Sequence, residues 1–142
     1  MGANSNKDLV ERFFSFLNHQ EHVNVLPSLL DDPFTMNGVP DSCQALQDLI
    51  LMLRSAFPDE RLTVETLIVE DDYVVARLTS HATHTGTWIS PVGPIAPTGK
   101  QVTQTGMHIF RMRGERIAEL WTEWDVVGLL QQLDVIGAGA DT

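Results

Sequence analysis

The sequence predicts an α+β domain: a cone-shaped, curved antiparallel or mixed sheet with N-terminal helices packed on its concave face, enclosing a pocket. Three observations predict it. Apolar residues recur at helical spacing through the first third of the chain. From Arg61 onward the spacing switches to the two-residue alternation of half-buried strands, rich in β-branched residues. Short turn signals at Asp71-Asp72 and Arg113-Gly114 join those strands directly, which makes them antiparallel neighbours. Helices first and strands after give an α+β architecture, and a sheet of such long strands must curl.

Ser5 and Asp8 open the first helix as a cap and an acidic first turn. Leu9, Val10, Phe13, Phe14, Phe16 and Leu17 form its apolar face, and Asn18 ends it. A short helix over Asn24 to Leu30 follows, with Pro27 in the first turn, where proline is tolerated. Asp31-Asp32-Pro33 breaks that helix. Phe34 to Asn37 is a short strand, and Gly38 to Pro40 a turn. Asp41 or Ser42 caps a third helix that runs to Phe57 on Leu46, Leu49, Ile50 and Leu53. Leu51 and Met52 widen its apolar face, and Pro58 stops it.

Arg61 to Glu70 and Tyr73 to Gly86 are the first long strands. Trp88 to Gly99 holds three prolines and two glycines and reads as a loop, either a lid or a rigid surface connection. Lys100 to Met112 and Glu115 to Trp124 form a hairpin, so the strands after Arg61 make a four-stranded meander. Val126 to Leu133 is a last helix. Gly137 to Thr142 is a frayed tail.

The 142 residues suit one domain, residues 1–142, with a real core. Apolar residues at 43% and charged residues at 20% describe a folded, water-soluble chain. A net charge of -10 repels phosphate backbones and anionic lipid, which excludes nucleic acid and membrane surfaces as partners. Cys43 is the only cysteine, so no internal disulfide and no cysteine metal cluster can form. With no apolar signal core in Met1 to Lys7, the expected location is cytoplasmic.

The segment Met107 to Asp125 carries the chemistry. His108, Glu119, Glu123 and Asp125 sit among Phe110, Trp121 and Trp124, the mixture of a sheet that walls an apolar pocket and aims a few polar groups into it. A histidine titrates near ~6.5 when unperturbed, so His108 suits proton exchange or orientation of a ligand; alternatively it is a buried structural histidine. Asp125 either caps the last helix or presents a carboxylate to the pocket. Glu119 and Glu123 read as structural partners of Arg111 or Arg77. His81 and His84 point to opposite faces of one strand, so they share no metal; His84 reads as pocket rim or surface, and His19 and His22 as surface. Register decides which residues join His108. A two-residue Arg113-Gly114 turn continues its face as Ile117, Glu119 and Trp121; a glycine bulge continues it as Ala118, Leu120 and Thr122.

Several motifs together resemble the SnoaL-like polyketide cyclase family, within the superfamily named for nuclear transport factor 2. They are Phe57-Pro58-Asp59, Ala82 to Gly86, Pro97 to Gly99, Gly106 to Arg111, Gly114 to Trp121 followed by Asp125, and Gly128 to Leu133. The resemblance covers nearly the whole chain. It implies a cone-shaped fold, a homodimer packed through the sheet, and ring closure by aldol chemistry without metal or cofactor. It also implies that the position after Trp121, an acid/base aspartate in the ring-closing members, is here Thr122, which cannot act as a base at neutral pH; the register that aims Thr122 inward is the bulged one.

The expected function is therefore a cofactor-free cyclase or isomerase for a hydrophobic, polyketide-type intermediate. His108 and Asp125 are the expected catalytic residues. Thr122, Trp121, Trp88, His84, Phe16, Met36 and Phe110 are the expected substrate-binding residues, and no metal site is expected. Two alternatives stay open. One is an epoxide-opening hydrolase built from Asp125 or Glu123 with Arg77 or Arg111. The other is a non-enzymatic small-molecule-binding module.

Overall fold

The structure, a computed structural model, describes residues 2–137. The elements in chain order are α1 (Ala3–Asn18), a 3-10 turn (Val23–Val25), α2 (Leu26–Leu29), β1 (Leu30–Met36), β2 (Val39–Asp41), α3 (Cys43–Ala56), β3 (Arg61–Glu70), β4 (Tyr73–Thr83), β5 (Trp88–Ser90), β6 (Gly93–Ile95), β7 (Gln101–Arg113), β8 (Arg116–Trp124) and α4 (Val126–Gln132). The expected meander is present as the contiguous run β8-β7-β4-β3 of a mixed six-stranded sheet ordered β2-β1-β8-β7-β4-β3. Apart from Gly137, the expected frayed tail lies outside the described residues.

Local chemistry explains where the elements differ from expectation. Ser5 is inside α1, not at its cap, and no side chain caps that helix. Asn6 instead ties α1 to the β3–β4 turn, its Nδ2 donating to the Asp71 carbonyl at 3.3 Å. The expected helix over Asn24 to Leu30 shrinks to the 3-10 turn and α2, because the chain turns extended at Leu30. Asp31-Asp32-Pro33 ends no structure: it lies within β1, which runs parallel to β8. Pro33 falls where the β1–β8 register shifts, between Leu30 and Thr35, so its missing N–H breaks no regular ladder. Ser42 caps α3, accepting from the Ala45 N–H at 3.1 Å. Leu51 faces solvent instead of widening the buried face of α3. The loop after Trp88 contains the small β5–β6 hairpin, which is separate from the main sheet.

Phe13, Phe14 and Phe110 pack edge to face at 5.5–5.7 Å, joining α1 to the concave face of the sheet; each such pair adds ~0.5–1.5 kcal/mol beyond area burial. A second cluster joins Phe57, Trp88 and Val102 to Leu129, Leu130 and Leu133 around α4. Between these two clusters the helices do not fill the concavity. Among the described residues no helix is long and apolar enough to cross a membrane, and no group of three His, Cys, Asp or Glu is placed to hold a metal ion.

Candidate active site

The unfilled space is a cavity of about 330 Å³ walled by α1, α3, Trp88 and the concave face of the sheet. Its lining is mostly aliphatic and aromatic, which is what a site for an apolar ligand needs. Two polar groupings interrupt it.

The first lies on β7 and β8. His108 pairs with Thr122 across the two strands, so both side chains point inward. A bulge sets this register. The turn residues are Gly114 and Glu115, Arg113 faces Arg116, and Met112 faces Ile117; Arg111 then faces Glu119, which leaves Ala118 as the extra residue. Burial of both Ile117 and Ala118 marks the bulge. Of the two registers the sequence leaves open, the chain adopts the one the resemblance implies, with His108 and Thr122 on one face, and the slip occurs at Ala118 and not at Gly114. Without it His108 would face Trp121.

His108 is 5% exposed. It lies 5.8 Å from the rings of Phe14 and Phe110 and 5.3 Å from Trp124. Neither ring nitrogen has a hydrogen-bond partner among the described residues. Burial pushes its pKa down to about 4, so the imidazole is neutral at pH 7. One nitrogen then carries a proton to donate and the other a lone pair to accept with. Thr122 is held by Asn37, whose Oδ1 accepts from the Thr122 N–H at 2.8 Å and whose Nδ2 lies 3.4 Å from the hydroxyl.

The second grouping lies where α3 hands over to β3. Glu60 is half-buried against the cavity, and Ser80 Oγ donates to its Oε2 at 2.6 Å. Ser80 on β4 pairs with Gln104 on β7, and both line the cavity. Burial raises the Glu60 pKa; the Ser80 hydrogen bond opposes that rise and the charge of Asp59 adds to it. Asp59 has the opposite fate: Thr83 donates to it from side chain and backbone at 2.7 Å and holds its pKa below the usual range. Arg54 also lines the cavity. Its Nη1 donates to the Glu21 carbonyl at 2.8 Å, its guanidinium sits 5.2 Å over the Phe16 ring, and its Nη2 is buried without a partner.

Trp124 separates the two groupings. It pairs with Gly106, and a Cβ at that glycine would stand 2.4 Å from the indole Cε3. Only a residue without a side chain lets the indole lie on the strand there.

Of the residues expected at the site, His108, Thr122, Trp88 and Met36 line the cavity. Asp125 does not: its Oδ1 accepts from the Gly128 N–H at 2.9 Å and caps α4. Trp121 does not, because the bulge turns it to the convex face, where it is 42% exposed. Phe16 and Phe110 are core behind the lining. His84 is fully buried beside Phe57, 5.3 Å between rings, and its Nδ1 accepts from the Thr98 N–H at 3.3 Å, pinning the loop before β7. The residues expected of an epoxide-opening set are not assembled. Arg111 pairs with Glu119 at 2.6 Å, and Arg77 and Glu123 are exposed.

Reading the sequence missed Glu60, Arg54, Ser80 and Gln104. Strand alternation carried a signal for two of them: Ser80 is two residues from Leu78, and Gln104 four from His108. Glu60 sits at a junction between elements, where no periodicity speaks.

No curated protein sequence matches the chain. Its fold is similar to solved structures. TsrD from Streptomyces laurentii superposes with a TM-score of 0.83 at 25% identity, over 96% of this chain and 99% of that one. AclR from Streptomyces galilaeus gives 0.82 at 23%, over 96% and 85%. A SnoaL-like polyketide cyclase from Agrobacterium tumefaciens gives 0.78 at 23%, over 94% and 99%. The sequence model of the SnoaL-like polyketide cyclases matches residues 7–133, nearly the whole chain, and the protein belongs to that family.

Proposed function

We propose that this protein is a cofactor-free cyclase or isomerase that folds a hydrophobic, polyketide-type intermediate inside its cavity and closes or rearranges a ring. Family membership supports a cyclase-type role. The observation that carries the finer reading is His108, neutral and unpartnered in an aromatic wall opposite Thr122. A neutral imidazole in the cavity wall, turning a ring nitrogen toward the ligand, donates to a substrate carbonyl oxygen without requiring charge to be buried. It stabilises that oxygen as enolate character grows, an effect worth 10²–10³ in rate, on the order of one oxyanion donor. The walls supply the rest, holding an enol carbon and a carbonyl carbon within reach of each other. Asp125 is assigned to the α4 cap and takes no part in the chemistry.

The direct test is an aromatic β-keto ester of polyketide type, followed by mass spectrometry for a product of unchanged mass and altered retention. His108→Ala is expected to lower kcat by about 100-fold with a smaller change in KM. No conversion by the parent protein, or conversion that His108→Ala leaves intact, contradicts the reading.

The active unit is a homodimer packed through the convex face of the sheet. Ile68, Val75, Ile109 and Trp121 align across four neighbouring strands on that face, and Ile68, Ile109 and Trp121 are exposed. An apolar row across the middle of an open sheet calls for cover. Sedimentation of a Trp121→Glu variant as a monomer supports this; an unchanged parent monomer contradicts it. A cytoplasmic location accords with the single free thiol of Cys43.

A further inference from the structure

The neutral imidazole of His108 leaves a gap in the account above. A histidine whose pKa is pushed down to about 4 is a poor base, and Thr122 is none. Ring closure through an enolate needs a group that removes a proton from carbon. The cavity contains one carboxyl group, Glu60, among its lining residues.

We propose that Glu60 is the proton-transferring group of this cavity, with Ser80 as its positioning residue. This rests on the reading of the cavity as a site of enolate chemistry. The geometry carries it. Glu60 lines the same cavity as His108. Ser80, itself 4% exposed, fixes Oε2 at 2.6 Å, and Oε1 has no hydrogen-bond partner among the described residues. No lysine or arginine is bridged to the carboxyl group; the ion pairs of the described residues are Lys100–Asp134, Arg111–Glu119 and Arg113–Asp31. Asp59 next to it has both oxygens occupied, Oδ1 accepting from the Thr83 N–H and Oδ2 from the Thr83 hydroxyl. Glu60 is instead held by one oxygen and open at the other. Burial adds to this by raising its pKa, which makes the ionised form a stronger base.

The step balances without a co-reactant. Oε1 takes the proton from the carbon alpha to a carbonyl, and the C–H electron pair becomes the enolate. The enolate carbon attacks a second carbonyl carbon, forming the C–C bond and an alkoxide. The alkoxide takes the same proton back from the Glu60 carboxylic acid. Arg54 lines the same cavity and places positive charge near the oxygen that carries the negative charge.

The test needs no natural substrate. Nitrobenzisoxazole is a flat apolar molecule whose ring opens when a base removes one C–H proton. The C–H pair forms a nitrile, the N–O bond breaks, and the coloured phenolate is released. The parent protein is expected to open it with saturable kinetics. Glu60→Gln, checked for folding by circular dichroism, is expected to lose about 100-fold or more in kcat with KM little changed. Ser80→Ala keeps the carboxyl group and removes the hydrogen bond that lowers its pKa, so the rising limb of the pH–rate profile moves to higher pH. Asp125→Asn keeps the parent rate. No saturable rate from the parent, or a rate that Glu60→Gln retains, overturns the assignment. The two readings separate cleanly. Ring closure of the β-keto ester that persists in Glu60→Gln sinks the assignment of Glu60 and leaves His108 standing. Proton removal from nitrobenzisoxazole that depends on Glu60, without any ring closure by the parent, leaves Glu60 standing and sinks the polyketide reading.

Discussion

His108 and Glu60 meet the same apolar cavity from opposite sides of Trp124, and the same cause moves them in opposite directions. Burial disfavours charge, so it pulls the histidine pKa down and pushes the glutamate pKa up. Both changes favour the uncharged form. The difference lies in their partners. Glu60 has the Ser80 hydroxyl at 2.6 Å, whereas both nitrogens of His108 have none among the described residues. A buried polar atom without a partner costs about 1–3 kcal/mol. Two of them lie on the one ring that faces the cavity, and the proposed reading gives one of them a substrate oxygen as partner. On the proposed reading the labour divides: one end fixes a carboxyl group to move a proton, and the other supplies a neutral donor for an oxygen.

Three variants would break or sharpen that contrast. His108→Phe is expected to have the largest effect, and it is a pH effect. The folded-state pKa of His108 is about 4 against an ordinary 6.5. The unfolded chain therefore binds a proton between those values that the folded one does not, and stability falls as pH drops through that window. The loss approaches roughly 3 kcal/mol by pH 4. Denaturant melts at pH 7 and pH 4.5 should show the parent losing more stability than His108→Phe; equal losses would mean that the ring is not desolvated. Next is Gly106→Ala, which forces Trp124 off the strand between the two ends. It is expected to cost about 2 kcal/mol and to change the Trp fluorescence; an unchanged melt would show that the indole is loosely held. The smallest effect is that of Asp125→Ala, about 1 kcal/mol from the lost α4 cap. Its rates on both test substrates should stay at the parent level. A large loss of turnover at unchanged stability would return Asp125 to the chemistry.

Much of the fold is legible because periodicity reports it. β3 begins and ends where alternation places it, and the N-cap of α3 follows from Ser42. Only the second half of β1 is legible, as the strand expected from Phe34; Asp31-Asp32-Pro33 looks like a stop, and the partner β8 lies some eighty residues away in sequence. The order of β1 beside β8 depends on pairing that no local pattern encodes. The site was legible in half. His108 and Thr122 are marked by the mixture of polar and aromatic residues around them. Trp121 reads like a pocket wall for the same reason, and only the bulge at Ala118 sends it to the convex face. Asp125 has two readings, and the structure supports the cap: the Gly128 N–H donates to its Oδ1 at 2.9 Å. Glu60 gave no sign, since it becomes a cavity residue only when β3 folds against β4 and brings Ser80 to it.

The central claim is that burial at the cavity moves its histidine pKa down and its glutamate pKa up. A single sample labelled with carbon-13 in histidine and glutamate side chains, titrated by NMR, tests it. The account predicts a His108 imidazole that titrates at about 4 and a Glu60 carboxyl that titrates above the protein's other glutamates. A His108 midpoint near the ordinary 6.5, with Glu60 among the solvent-exposed carboxylates, would contradict it.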